Sequence, residues 1–316
     1  MGEKVRDVDK GRKEVVMNGA LAVTIRSACE RTVAWCVASL TQQLDDELIR
    51  VIEVSPFEAA LECCFEIGID ANAEWLLTVD ADVLPSRNLV AEASALAQHY
   101  PESVCMFSGR VHDKFFGAYR RAGIRIYRTA WLPKALDLIP HPGAKLRPEA
   151  YVVDSLVNLG AERRYNAWIT GIHDYEQYYC DIFRKSYLHA KKHKEIFQLL
   201  PEWVRKGVED TDFRVAVYGA MKGLLDKAPG AVDARLLQDE ASLTLEHLGI
   251  TEKGPAKSED LAHLAEAVIA QYGPIPPDAT RLAQWREQLE KLGVLTGARW
   301  IAGDVFEKLG RKLKRL

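Results

Sequence analysis

No stretch of the 316-residue chain stays apolar over the roughly 18 residues that a bilayer-crossing helix needs. The segment from Met1 to Glu14 mixes both charge signs and lacks the apolar run of a secretory signal. The six cysteines, Cys29, Cys36, Cys63, Cys64, Cys105 and Cys180, form no C-x-x-C unit, which removes a zinc ribbon. They read instead as small buried thiols, and without a leader they place the chain in a reducing cytoplasm. Positive charge is not in excess. The formal net charge is -3, unlike that of a general nucleic-acid-binding domain, so no nucleic acid is expected as a partner. Glycines do not cluster between Leu21 and Glu30, where a phosphate loop would open a nucleotidyltransferase. No segment repeats.

What is present is a globular composition, 48% hydrophobic and 28% charged, in a length suited to one large domain or two smaller ones. Residues 1–18 read as a flexible, solvated tail. Order is expected from Leu21 to Ile25, an apolar, β-branched run. Val33, Cys36, Val37 and Leu40 then recur at helical spacing. A second strand is predicted over Leu48 to Val54, and Phe57, Ala60, Leu61, Cys64 and Gly68 trace one face of a second helix. Trp75 to Val79 is predicted as a third strand, Leu89 to Ala97 as a helix and Val104 to Phe107 as a fourth strand. Gly123 to Tyr127 and Tyr165 to Ile172 read as later strands, with a helix from Ala130 to Leu138 after the first of them. This alternation predicts an α/β fold with a doubly wound, mostly parallel sheet, whose ligands bind beyond the carboxyl ends of the strands. From about Pro201 only amphipathic helices are expected. The division is therefore an α/β domain over residues 19–200 and a helical C-terminal region over 201–316.

Asp80 and Asp82 directly follow the third apolar strand. In an extended segment residues two apart point to one side, so the two carboxylates are expected to converge at the sheet's carboxyl edge. Neither is stable there without a partner, and a hard divalent cation such as Mn²⁺ or Mg²⁺ prefers oxygen ligands. The bland alternative is a solvated turn, which Asp also favours.

The stretch from Phe57 to Pro85, FEAALECCFEIGIDANAEWLLTVDADVLP, resembles the helix, Ala-rich turn, strand and D-A-D of GT-A glycosyltransferases, especially the family-two group. The likeness begins near Ala20. By that resemblance Asp82 ligates the metal, and Asp80 contacts the ribose or the metal. Thr24, Arg26 and Glu53 line the nucleotide side, although the family usually carries Asp where Glu53 stands. Asp154, leading the run to Gly160, takes the place of the catalytic base. The usual Glu-Asp pair is Val153-Asp154 here. His173, ending a strand, stands where members place a metal-binding His. The Gln-x-x-Arg-Trp motif of polymerising members is absent. The resemblance implies a metal-dependent glycosyltransferase. Its donor would be a nucleotide sugar, such as a UDP- or GDP-sugar, and its acceptor a glycan, lipid-linked or other hydroxyl, reached by direct displacement with a carboxylate base.

Further features stay open between two readings. Asp174 is also eligible as base, or is a residue of a polar loop. His189 and His193, four apart among lysines, suit a metal pair or a basic, phosphate-facing helix. His112 to Arg121 mixes aromatic and basic residues around a glycine, as an acceptor loop or as packing against the helical region. Ile301, Val305, Leu309 and Leu313 form an apolar stripe beside five basic residues. That stripe suits peripheral contact with the anionic inner face of a membrane, or domain docking. The helical region is also where a homo-oligomer contact is expected. The rival functions are a haloacid-dehalogenase-like phosphatase and a non-catalytic nucleotide-sugar-binding protein.

Overall fold

The computed structural model describes residues 21–193, 195–228, 233, 237–257, 261 and 263–275. The tail of residues 1–18 and the basic C-terminal stripe lie outside the described residues, and with them the expectations of flexibility and membrane contact there. The chain divides into units Met1–Tyr272 and Gly273–Leu316, and the fold described is that of the first. No described helix is long and apolar enough to cross a membrane.

The fold is α/β. Strand β1 (Leu21–Arg26) lies between β2 (Ile49–Ile52) and β3 (Trp75–Asp80), parallel to both. Side-chain alternation divides each central strand between two layers. Leu21, Val23 and Ile25 join Trp75, Leu77 and Val79 beneath α1 (Val33–Thr41) and α3 (Leu89–Ala97). Ala22 and Leu76 face the opposite layer, made by α2 (Phe57–Asp70), α4 (Leu132–Leu136) and α5 (Pro148–Asn158).

The remaining strands are β4 (Val83–Pro85), β5 (Val104–Asp113), β6 (Ala118–Arg120), β7 (Ile124–Arg128) and β8 (Glu162–His173). The sheet order is β2-β1-β3-β7-β5-β8-β4, with β6 paired on β5. Strand β7 runs antiparallel to both β3 and β5, so β3 and β5 point the same way, and β8 is parallel to β5. Four strands therefore end on the same edge, at Arg26, Asp80, Asp113 and His173. Strand β5 outruns the predicted Val104–Phe107 because Ser108, Arg110, His112 and Asp113 continue it as buried polar residues. The helix predicted over Ala130–Leu138 is shorter, with a 3-10 turn, Thr129–Trp131, leading into α4.

After β8 come α6 (Tyr179–Lys192), α7 (Ile196–Lys206), α8 (Thr211–Leu225), α9 (Gln238–Leu248) and α10 (Leu264–Tyr272). Helices α6 to α9 enclose their own core around Phe183, Trp203, Phe213 and Ala216. Phe115, from the β5–β6 hairpin, is part of it, so for Phe115 packing prevails over an acceptor loop. Gly219 and Gly223 let α8 approach α6 closely. A Cβ at either position would stand 2.2 Å from the carbonyl oxygen of Phe183 or 2.4 Å from that of Tyr187. This contact presses α6 into place over the charged strand ends.

Candidate active site

Three of these strand ends, Arg26, Asp80 and His173, open into a cavity of about 230 Å³ whose wall also holds Asp82 and Asp174. On the α2 side, Arg26 and Asp80 are register partners of β1 and β3. Arg26 Nε donates to Asp80 Oδ1 at 2.8 Å, and its NH1 donates to Glu149 Oε1 at 2.9 Å. Glu149, from the first turn of α5, also accepts from the Tyr127 hydroxyl at 2.8 Å and pairs with Arg125. Arg26 is only 5% exposed. Burial works against its charge, but Asp80 outweighs it and holds the pKa above the ordinary value.

Asp82 goes elsewhere. The chain turns at Ala81 and Asp82, with the Ala81 amide bonded to the Arg26 carbonyl, so the carboxylates do not continue one extended face. Asp82 Oδ2 accepts from Lys185 Nζ at 2.5 Å, and Asp174 Oδ1 accepts from the same ammonium at 2.7 Å. His173 Nε2 lies 3.5 Å from Asp82 Oδ1. His173 Nδ1 lies 3.0 Å from Asp113 Oδ2, to which it donates, and 3.1 Å from Asp174 Oδ2. Asp113, fully buried, is fixed in turn by the Phe115 and Phe116 amides and by Arg120. Burial raises the Asp82 carboxyl, yet Lys185 and His173 hold it well below the usual carboxylate range. Burial also opposes a charged His173, and Asp174 and Asp82 overcome this and raise its pKa well above 6.5.

These residues suit a divalent cation. One donor atom each from Asp82, His173 and Asp174 lie within 4.8 Å of one another. Asp82 Oδ1 and Asp174 Oδ2 are buried and accept no hydrogen bond among the described residues. Buried acceptors are seldom left unmet, and carboxylate oxygens with an imidazole nitrogen are the donors Mg²⁺ or Mn²⁺ takes. Asp80, expected as a ligand, is outside this set and engaged by Arg26.

The opposite wall is basic. Arg184, Lys185, Leu188, His189 and Lys192 recur at helical spacing along α6 and line the cavity. The Lys192 carbonyl accepts from Arg147 at 3.3 Å, while its ammonium has no hydrogen bond or ion pair among the described residues. Burial, with Arg147 and Arg184 nearby, pushes it down to about 8. His189 and His193 stack edge-on with Phe116, at 5.2 and 5.3 Å between ring centres. Burial, then Arg120, pushes His189 down to about 3. Both His193 ring nitrogens face guanidiniums, Arg147 at 3.0 Å and Arg120 at 3.5 Å, which leaves no room for a metal pair.

Other expected residues stand apart. Asp154 lies within α5 rather than ahead of it; it is exposed and paired with Arg163, and does not line the cavity. The acid of α5 that reaches the site is Glu149, which sequence reading passed over, because an acid after Pro148 looks like ordinary first-turn charge. Thr24 is buried within β1, two residues short of the edge, and Glu53 is exposed beyond β2. Glu30, also passed over, lines the cavity; burial and then Asp82 push it up to about 7 against the pull of Lys185.

No protein-family model and no curated protein matches the chain. Among solved structures, it is similar to a mannosyltransferase from Pyrobaculum calidifontis in complex with GDP-Man and Mn²⁺. That similarity has 12% identity and a TM-score of 0.40, covering 79% of this chain and 80% of that one. It is also similar to a glycosyltransferase involved in glycosylating the major capsid of PBCV-1, at 16% identity and a TM-score of 0.32, covering 48% and 81%. A protein of Desulfovibrio desulfuricans G20 described as a nucleotide-diphospho-sugar transferase matches at 10% identity and a TM-score of 0.32, covering 61% and 96%. The functional reading therefore rests on the site.

Proposed function

We propose that this chain is a divalent-metal-dependent glycosyltransferase of the GT-A kind that takes its sugar from a nucleotide-sugar donor. The observation that carries this reading is the cavity's two-sided charge. Asp82, His173 and Asp174 form an acidic wall at the carboxyl ends of parallel strands, and Arg184 and Lys192 stand on a basic wall facing it. A diphosphate fits between such walls, because a cation on the acidic side and ammonium and guanidinium groups on the other both meet its oxygens. When bound, Mn²⁺ or Mg²⁺ would be held by Asp82, His173 and Asp174 and would supply charge neutralisation of the leaving diphosphate. Arg26, bonded to Asp80 and held from behind by Glu149, forms with Asp80 the adjoining nucleoside side of the cavity.

Direct displacement needs a carboxylate to take the acceptor hydroxyl's proton. Asp174 and Glu30 are the eligible acids in the cavity. Asp174 accepts from Lys185 and is assigned to the metal, whereas Glu30 lines the cavity outside that set, its carboxyl pushed up to about 7 by burial and then Asp82. We therefore assign the base role to Glu30; Glu30→Gln should cut turnover by about 10²–10⁴ while leaving nucleotide binding with Mn²⁺ intact, and unchanged turnover would move the role to Asp174. The overall reading is tested by incubating the full chain with UDP- and GDP-sugars and Mn²⁺. Slow release of a nucleoside diphosphate, abolished by chelator, is expected. Release of inorganic phosphate instead would favour a phosphatase, and no release would leave a binding protein.

A further inference from the structure

The two carboxylates that a divalent cation would use are already bridged by a cation of the chain's own, the Lys185 ammonium. This lysine is not a surface side chain that happens to lie nearby. It is 12% exposed. The carbonyls two residues before and after it, those of Phe183 and Tyr187, are the ones against which Gly219 and Gly223 bring α8. The backbone on either side of Lys185 is thus held. Lys185 occupies one oxygen of Asp82 and one of Asp174; the other oxygen of each accepts no hydrogen bond among the described residues.

Like charges sharing these carboxylates repel, and a divalent ion arriving alone would overfill a site that Lys185 and His173 already balance. A nucleoside diphosphate reverses this balance. It brings negative charge to the cavity that Lys185 shares with Arg184 and Lys192, and gives the ammonium another partner.

We propose that Lys185 is an internal counter-cation that keeps the metal site weak until a nucleoside diphosphate arrives, so that metal and donor bind as a pair. The inference rests on the reading of the cavity as a sugar-nucleotide site. It makes the metal's affinity, and not only the donor's, conditional on the other ligand, which is a reciprocal coupling.

The test measures free Mn²⁺ by electron paramagnetic resonance in titrations of the full chain, Lys185→Met and Lys185→Arg, with and without GDP or UDP. Melting of each form is followed in chelator and in Mn²⁺. Lys185→Met should bind Mn²⁺ alone about tenfold more tightly than the unaltered chain, a normal size for coupling between sites. It should also lose most of the nucleotide's enhancement. Without the ammonium two buried carboxylates lose their partner, so this variant should melt lower in chelator and recover in Mn²⁺. Lys185→Arg should keep the weak metal-only binding. Equal Mn²⁺ affinity for Lys185→Met and the unaltered chain, with nucleotide enhancement intact in both, would overturn the inference alone. Absence of Mn²⁺ binding in every form, even with nucleotide, would overturn the metal reading and the inference together.

Discussion

Truncating Glu149 to alanine should be among the most damaging single changes at this site, although the residue touches no cation of the acidic wall. Its carboxylate is buried and joins Arg26 at 2.9 Å, the Tyr127 hydroxyl at 2.8 Å, and Arg125. Glu149→Ala strands the Arg26 guanidinium in the protein interior with Asp80 as its remaining carboxylate partner. Removing one member of a buried ion pair costs about 3–5 kcal/mol. Losing the Tyr127 bond adds about 1 kcal/mol, and the retained Asp80 contact offsets some of the total. A net loss of about 3–4 kcal/mol follows, or roughly 10 °C in melting temperature for a domain of this size. Urea unfolding should show a lower midpoint with an unchanged slope, since the surface exposed on unfolding is the same. Glu149→Gln keeps an acceptor oxygen and should lose less. Glu53→Ala, at an exposed position, should stay within about 0.5 kcal/mol. A loss below about 1 kcal/mol for Glu149→Ala would refute the claim that this cluster anchors Arg26 and Asp80.

Asp154→Asn should leave nucleoside-diphosphate release unchanged in a coupled assay; a fall of about 10²–10⁴ would return the base role to Asp154. Lys192 is charged below about 8 and neutral above it, so nucleoside-diphosphate affinity should weaken as pH rises through that value. In calorimetry Lys192→Met should bind more weakly and lose this slope; a variant with the same slope would place the titrating group elsewhere. Glu30 titrates at about 7 in the fold against 4.5 ordinarily, so the folded state holds its proton more tightly between those values. Its ionisation therefore costs stability as pH rises from 4.5 to 7. Glu30→Gln should accordingly be more stable than the unaltered chain at pH 8, by at most about 3 kcal/mol, with no advantage at pH 4. An advantage that does not change with pH would dismiss this account of Glu30.

The sheet edge was legible because it is written locally. An apolar strand followed by Asp80 and Asp82, and a later strand closing on His173, can be read from neighbouring residues alone. The opposite wall was not legible in the same way. Lys185 meets Asp82 from 103 positions away, and Glu149 meets Arg26 from 123. No periodicity specifies a contact of that range. A partial signal existed in α6, where Arg184, Lys185, His189 and Lys192 share a helical face, but the denser run of lysines near His193 obscured it. Asp154 was read as leading a helix at the site, but α5 begins at Pro148, which carries Asp154 onto the exposed surface away from the cavity. Strand β5 was cut short because polar residues such as His112 and Asp113 are buried by their neighbours rather than by their own character. The convergence of Asp80 and Asp82 required an extended chain, and the turn at Ala81 sends them to Arg26 and Lys185 instead.

The central claim is that Asp82 belongs to a metal site that serves a nucleoside diphosphate. Calorimetric titration of GDP and UDP into the full chain, with Mn²⁺ and with chelator, beside Asp82→Asn, tests it most directly. The account predicts that Mn²⁺ strengthens binding of one of these nucleotides to the unaltered chain. It further predicts that Asp82→Asn loses this enhancement while still melting cooperatively. Binding of equal strength in both proteins, indifferent to Mn²⁺, would contradict it.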